Sequence, residues 1–406
     1  MQMKRLRALL RYAYENVAFY RRRFNTAKIK PDDIKSVEDL CRIPVLTKLD
    51  IQRNFNSLIS REIEIERCVK EETSGSTGIP LTVIASKEST YIIGANRLRH
   101  YVENGGKLFR DKYVFITSRR LSNERTFLGS LLEHFGVFRR TTMCTQDPIE
   151  EVLDRLVNFK PDVIECYPSF LLLLAKELEK KGKIIHPRLV FGGGELLDDR
   201  SRKTINSKFG VEMFDLYGCT EAGDVAWECS EHVGYHMNID LLMIEFVKDG
   251  EHVAPGERGE IILTPLWNYA MPLIRYKIGD VGTPSDEHCP CGRKLPLMKV
   301  LDGRFEDFII LPNGRVLSPL VTLRYFENIE GISEYRIIQE KIDKLTLQLV
   351  LRDGYDEDVV TRLRNRFMDK LGEDITLNIE VMDAIPRDGK LRRVVSHCLP
   401  RKRFVF

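Results

Sequence analysis

Two hydrophobic periods alternate through the middle of the chain. Tyr113, Val114, Phe115, Ile116 and Thr117 form a short continuous apolar run, which predicts a buried strand. Residues 149–159 follow with the three-to-four spacing of an amphipathic helix. A second strand is predicted at 162–166, ending at Tyr167-Pro168, and Ser169 is placed to cap a helix over 170–181. The pattern repeats with a strand at 188–191 stopped by Gly192-Gly193-Gly194, a helix over 198–208 and a strand at 211–216. Such alternation predicts an α/β domain built on a parallel sheet with right-handed crossovers. Ligands of these sheets bind beyond the carboxyl ends of strands. Two polar motifs fall at such ends: Gly192-Gly193-Gly194-Glu195, and Tyr217-Gly218-Cys219-Thr220-Glu221.

The flanking regions differ. Leu6, Leu9, Leu10, Tyr12, Ala13 and Val17 are interleaved with Lys4, Arg5, Arg7 and Arg11, an amphipathic helix with a basic solvated face; a membrane-surface or transit segment is the alternative. From 242 to 262 the β runs shorten around Gly250, Pro255-Gly256 and Gly259, predicting an antiparallel sheet or a small β-barrel-like part. Composition shifts again near Gly303. Beyond it lie strand patterns at 308–311, 335–339, 345–350 and 376–381, and helix patterns at 319–327 and 356–371, a domain-sized α+β set. The expected division is therefore 1–303 and 304–406.

Composition narrows the function classes. With 30% charged and 43% hydrophobic residues, the chain reads as an ordinary soluble globular protein. A net charge of +3 over 406 residues gives no field that would favour nucleic acid. No run reaches the roughly 18 apolar residues of a membrane span. Nine cysteines, an odd number in a large chain, point away from a disulfide scaffold and toward a reducing cytoplasm.

Chemistry enters at 73–80, where Thr73-Ser74-Gly75-Ser76-Thr77-Gly78 precedes Ile79-Pro80. Gly75 and Gly78 free the backbone to turn successive N–H groups toward one anion, and the hydroxyls add donors without bulk. The loop suits a polyphosphate, although no Gly-Lys-Ser/Thr closes it and no GxGxxG is present. A plain Ser/Gly turn has the same composition. A second cluster comprises Cys229, His232, His236, His288, Cys289 and Cys291, the last two in Cys289-Pro290-Cys291-Gly292. Zinc takes four thiolate or imidazole ligands, often as two short groups from distant loops. Cys229, Cys289 and Cys291 with one histidine would make a structural site.

The order of motifs carries a resemblance. The 73–80 loop, Gly193-Gly194-Glu195, Tyr217 to Glu221, Arg275-Tyr276-Lys277-Ile278-Gly279-Asp280, Gly303-Arg304 to Asp307, and Pro386 to Lys390 stand as in the adenylate-forming superfamily of acyl- and aryl-CoA synthetases. Ala18-Phe19-Tyr20-Arg21, Ile43 to Lys48 and Leu273-Ile274-Arg275-Tyr276 resemble more narrowly the phenylacetate–CoA ligase branch and capsule-biosynthesis proteins, over about residues 5–395. The resemblance implies an ATP-dependent carboxylate–CoA ligase acting through an acyl adenylate on an aryl or other small acid. A large ATP- and acid-binding domain would carry a small mobile C-terminal lid.

By resemblance, Ser74, Gly75, Ser76, Thr77 and Gly78 embrace the β- and γ-phosphates, Thr220 donates to the α-phosphate and Glu221 holds magnesium. Gly193, Gly194 and Glu195 line the adenine slot with Tyr217 and Gly218, while Asp280 accepts the ribose hydroxyls with Arg304 nearby. Lys390 is the catalytic lysine, and Asp307 is the hinge. Tyr167, Pro168 and residues near Ala222-Gly223-Asp224 shape the acid pocket. The family context favours His236 as the zinc ligand and implies a homodimer. Two rivals keep the fold: delivery of the acyl or AMP group to a carrier protein, amine or cofactor hydroxyl, and a non-catalytic nucleotide binder.

Overall fold

The computed structural model describes residues 1–72, 81–118, 139–304, 307–352, 354, 357–372, 374–386 and 391–398. The chain forms two compact units, Met1–Asn104 with Tyr217–Leu301, and Gly105–Leu216 with Asp302–Phe406.

The second unit contains the predicted parallel sheet. Strands Lys112–Thr117, Val163–Cys166, Leu189–Gly193 and Met213–Cys219 pair in that order, in register Val114↔Ile164, Ile164↔Val190 and Val190↔Met213. Arg139–Cys144 adds the edge strand beside Lys112–Thr117. Helices Ile149–Phe159, Pro168–Lys180 and Asp199–Phe209 form the crossovers. Their apolar faces (Val152, Leu153, Leu156, Leu171, Leu174) bury against Val114, Ile164 and Val190 of the strands, all fully buried. Removing so much apolar surface from water is the main stabilisation of the layer, about 25 cal/mol per Å². Pro168 starts its helix at the first turn, where a missing N–H costs nothing.

The same unit contains the C-terminal α+β set. Its sheet runs Thr376–Val381, Lys344–Leu351, Ile332–Lys341, Val394–Ser396; the middle pair is antiparallel and the outer pairings parallel. Val359, Leu363 and Phe367 of helix Glu357–Leu371 bury against Ile337, Leu347 and Leu349. Phe326 stacks on Tyr335 at 3.9 Å.

In the first unit, helix Gln2–Asn16 buries Leu6, Leu9, Leu10 and Ala13 in a core shared with Tyr20, Phe24, Leu46, Leu242 and Leu263. Its basic residues are exposed, and Arg11 pairs with Asp32 at 2.7 Å. The apolar face is therefore occupied by the core, as the solvated-helix reading requires. Strands Leu242–Lys248, Gly259–Pro265 and Tyr276–Ser285 pair antiparallel, with Glu251–His252 at the edge. This is the β-rich part expected from 242–262, but among the described residues the strands form an open sheet and no closed barrel. No described helix is long and apolar enough to cross a membrane.

Candidate active site

Strand Met213–Cys219 ends in the turn that delivers Thr220 and Glu221, and strand Gly223–Glu228 leaves it. Gly218 is required there: a Cβ would stand 2.8 Å from the Gly223 carbonyl oxygen. Glu221 and Asp280 are each only 8% exposed, so their carboxylates must find partners. The Tyr217 phenol donates to Asp280 Oδ2 at 2.9 Å, and the Tyr276 phenol donates to Glu221 Oε1 at 2.9 Å. Burial, reinforced by the Glu221 carboxylate, pushes the neighbouring Cys219 thiol well up, which makes it a poor nucleophile. Tyr217, Gly218, Thr220, Glu221 and Asp280 thus all lie in the first unit, four of them on one strand end.

Behind Glu221 stands an arrangement that the motifs did not foretell. Arg275 is buried with a left-handed backbone, φ 54°, an uncommon state for a non-glycine residue. Its guanidinium spans both Glu245 oxygens at 3.1 and 3.2 Å and donates to the Ile43 carbonyl at 2.6 Å. Its backbone carbonyl accepts from Leu46 N–H at 2.8 Å, and its N–H donates to Thr264 Oγ1 at 2.8 Å. The Tyr20 phenol donates to the Pro272 carbonyl at 3.0 Å and accepts from Ile274 N–H at 2.8 Å. Three segments far apart in sequence, around Tyr20, Ile43–Leu46 and Leu273–Tyr276, therefore meet at one point and orient Tyr276. The residue types were visible in the sequence; their convergence was not.

Gly193, Gly194, Glu195 and Arg304 lie in the second unit. A Cβ on Gly193 would meet the Leu216 carbonyl oxygen at 3.1 Å, and Gly194 has φ +77°, so both positions need glycine for packing and turn. Glu195 Oε2 accepts Ser169 N–H and Oε1 accepts the Ser169 hydroxyl, both at 2.9 Å, and Oε1 also accepts Leu391 N–H at 2.7 Å. The Tyr167 hydroxyl lies 3.1 Å from Ser118 Oγ at the ends of two parallel strands. Asp307 pairs with Arg392. The 73–80 loop follows strand Val69–Glu72 and precedes strand Thr82–Ala85, which pair antiparallel up to Glu72↔Thr82. Ser74, Gly75, Ser76, Thr77, Gly78 and Lys390 themselves lie outside the described residues.

The cysteine–histidine cluster comes together in the first unit. The ligand atoms of Cys229, His236, Cys289 and Cys291 all lie within 4.8 Å of one another. Cys229 Sγ is 3.6 Å from Cys289 Sγ, and Cys291 Sγ is 3.4 Å from His236 Nε2. Gly292, at φ +79°, closes the Cys289–Cys291 turn with its N–H on the Cys289 carbonyl. Burial, with the neighbouring thiols, pushes Cys229 up to about 12, and burial lowers His236. Against burial, the Arg293 backbone and side chain hold Cys291 below the usual thiol range. His232 Nδ1 instead faces Glu228 at 3.3 Å. All nine cysteines are free.

Comparison with known proteins gives this geometry a class. The fold matches a 2-hydroxyisobutyryl-CoA ligase crystallised in the postadenylation state at TM-score 0.80 and 21% identity, covering 97% of this chain and 88% of that one. An open conformation of such a ligase matches at TM-score 0.66 and 20% identity, covering 97% and 90%. The fold is that of the adenylate-forming enzymes. A family model described as the CapK C-terminal domain matches residues 309–397. The phenylacetate–coenzyme A ligase of Pseudomonas putida is 30% identical over 417 residues, 96% of this chain and 92% of that protein. That of Escherichia coli strain K12 is 29% identical, covering 97% and 93%, and protein CapK of Staphylococcus aureus is 21% identical, covering 98% and 89%. The chain belongs to the phenylacetate–CoA ligase family.

Proposed function

We propose that this chain is an ATP-dependent carboxylate–CoA ligase acting on an aryl (phenylacetate-like) or other small organic acid. The observation that carries the reading is the pair of phenol–carboxylate contacts, Tyr217 on Asp280 and Tyr276 on Glu221, which hold two buried carboxylates at one strand end. Similarity to phenylacetate–CoA ligases along nearly the whole chain supports it.

The first step bonds a carboxylate oxygen of the acid to the α-phosphorus of ATP while the bond to the bridging oxygen breaks. Pyrophosphate leaves with the electron pair. In the second, the CoA sulfur bonds to the acyl carbon, the carbon–oxygen bond to phosphate breaks, AMP departs and the thiol proton is lost to solvent. Charge gathers at phosphorus in the first step, so the site needs cations and aligned donors rather than a protein nucleophile. Thr220 donates to the α-phosphate, Ser74, Gly75, Ser76, Thr77 and Gly78 cradle the β- and γ-phosphates, and Lys390 neutralises charge between acid and phosphate. Asp280 offers two acceptors to the vicinal ribose hydroxyls, and Arg304 is assigned to the nucleotide by the family resemblance. By the family resemblance, Gly193, Gly194 and Glu195 are assigned to the adenine, and so are Tyr217 and Gly218. Glu221 would hold magnesium, whose chemistry is withdrawal of charge from phosphate oxygens; one carboxylate suffices for that ion.

Cys229, His236, Cys289 and Cys291 would hold a structural zinc ion. With Zn–S about 2.3 Å and Zn–N about 2.0–2.1 Å, a tetrahedron has edges of about 3.8 Å between sulfurs and about 3.6 Å between sulfur and nitrogen. The separations of 3.6 Å and 3.4 Å between these pairs support that geometry. Functionally, residues 1–303 form the ATP- and acid-binding part and 304–406 the lid with Asp307 as hinge, a division supported by the family match at 309–397. A cytoplasmic location is supported by nine free cysteines. Family resemblance supports a homodimer, which light scattering tests.

The site assignment is tested by trapping acyl adenylate with ATP, magnesium and phenylacetate in the absence of CoA. Glu221→Gln and Asp280→Asn are each expected to lower the rate about 100- to 1,000-fold, the range for removing one electrostatic element of a reaction centre. Rates equal to the unaltered chain would remove both residues from the site.

A further inference from the structure

The stretch that follows Lys390 is fastened to the α/β layer of its own unit by contacts that the ligase motifs do not explain. Leu391 N–H donates to Glu195 Oε1 at 2.7 Å, and Ser169 fixes that carboxylate from the other side through its N–H and hydroxyl. Arg393 is buried, its side chain 9% exposed, and its guanidinium pairs with Asp198, whose side chain is 2% exposed. The same guanidinium lies 2.7 Å from Ser201 Oγ and 5.0 Å above the Tyr335 ring. Asp198 also caps helix Asp199–Phe209, accepting Ser201 N–H at 3.0 Å. Between these anchors Arg392 pairs with Asp307, and Val394–Ser396 then joins Ile332–Lys341 as a parallel strand. Each residue from 391 to 396 is thus tied down.

We propose that Glu195, Asp198 and Arg393 are positioning residues for acyl-adenylate formation, clamping residues 391–393 and so fixing the chain on which Lys390 is the next residue. The proposal rests on the reading that gives Lys390 its role in the first step. A lysine side chain is long and rotamer-rich, and its ordering at a reaction centre costs entropy. Fixing its covalent neighbour by a backbone hydrogen bond to a carboxylate removes part of that cost before substrate arrives. The Glu195 contact does this two residues from Gly193, beside the proposed adenine slot. The Arg393–Asp198 pair supplies strength, since buried charge-assisted hydrogen bonds are about twice as strong as neutral ones. Truncating either partner leaves an uncompensated charge. Burial opposes ionisation, but Arg393 and Ser201 hold the Asp198 carboxyl below its usual range, so the pair is charged at neutral pH.

The full-length chain tests this with Arg393→Met and the milder Glu195→Ala, with Arg393→Lys as the conservative control. Amide hydrogen exchange over 391–396, read without substrate, is expected to speed up in Arg393→Met and Glu195→Ala and to stay slower in Arg393→Lys; unchanged exchange in all of them overturns the clamp. With ATP, magnesium and whichever acid of a panel that includes phenylacetate the unaltered chain accepts, pyrophosphate formation should fall about 10- to 100-fold in kcat in Arg393→Met, while thioester formation by that variant from supplied acyl adenylate and CoA changes less than about threefold. Equal loss of both steps, tracking a lowered thermal midpoint, would make the residues merely structural and overturn the proposal. If the unaltered chain forms no pyrophosphate with any acid, the ligase reading and the positioning role that rests on it both fail. A loss of protection over 391–396 in that case marks the failure as one of function, since the clamp itself would then be real.

Discussion

Arg275 concentrates several roles in one side chain. A guanidinium with five donors and a fixed fork satisfies Glu245, whose side chain is 0% exposed, and still reaches the Ile43 carbonyl. His252 Nε2 shares Glu245 Oε1 at 2.8 Å, which adds a third group to the buried pair. Arg275→Met would leave Glu245 buried without its guanidinium. Loss of about 3–5 kcal/mol of stability is expected, read from the denaturation midpoint, with adenylate formation impaired because Tyr276 loses its support. A variant as stable as the parent would show that the pair does not hold the site. Tyr217, Glu221 and Asp280 could be picked out as candidates because their motif order resembles the family's, and Tyr217 and Glu221 also fall at a predicted strand end. Glu245 and Ile43 were not legible as partners of Arg275. A single charged residue in a turn between apolar runs leaves no periodic trace of what it will meet 30 or 232 residues away.

At the scale of elements, the parallel strands and their crossover helices could be read because both faces of such strands are buried and their runs are continuously apolar. Ile149–Phe159 matched its expected ends, and most other helices lay within two residues of theirs. The edge strand Arg139–Cys144 went unread: with one neighbour and two leading arginines it has no apolar run. Helix Lys87–Glu103 was missed for a related reason, since it buries Ser89, Asn96 and His100 as well as Tyr101 and so lacks a clean apolar stripe. In the β-rich part, antiparallel pairing was legible and closure was not, because turn residues fix where strands reverse but not whether the ends meet.

The Cys229/His236/Cys289/Cys291 cluster joins a short strand, Tyr235–Met237, to the loop before Leu297–Arg304, where His236 pairs with Leu297. Purified protein is expected to contain about one zinc per chain by elemental analysis, four protein ligands being the structural arrangement. Strong chelators should lower its thermal midpoint, whereas a metal-free protein with an unchanged midpoint would dismiss the site. The helix cap at Asp198 gives a pH prediction. Its folded pKa is depressed, so its contribution is present in full above the unfolded carboxylate value of about 3.9 and is lost as pH falls through the lower folded value. Thermal midpoints of the parent and Asp198→Asn should therefore differ at pH 7 and converge as pH falls through the lowered folded value. A constant difference across that range would contradict the cause given for the shift.

Across the whole molecule, two sets of sequence-distant contacts hold a few polar groups in place. The N-terminal segments that resemble the phenylacetate–CoA ligase branch converge on Arg275 and Tyr276, behind Glu221. The residues after Lys390 are fastened to Glu195 and Asp198. Neither arrangement contributes a nucleophile, in keeping with a reaction whose demand is positioning and charge neutralisation at phosphorus. Such a ligase turns over an acid, ATP and CoA together. Purified protein with ATP and magnesium should be assayed for pyrophosphate and for CoA thioester against aryl and short aliphatic acids, with and without CoA. Pyrophosphate release is expected to depend on one acid or a narrow group of acids, with CoA consumed in equal amount. Acid-dependent release with CoA untouched would contradict the ligase and place the acyl group on a carrier protein or an amine. The absence of any release would contradict the activity itself.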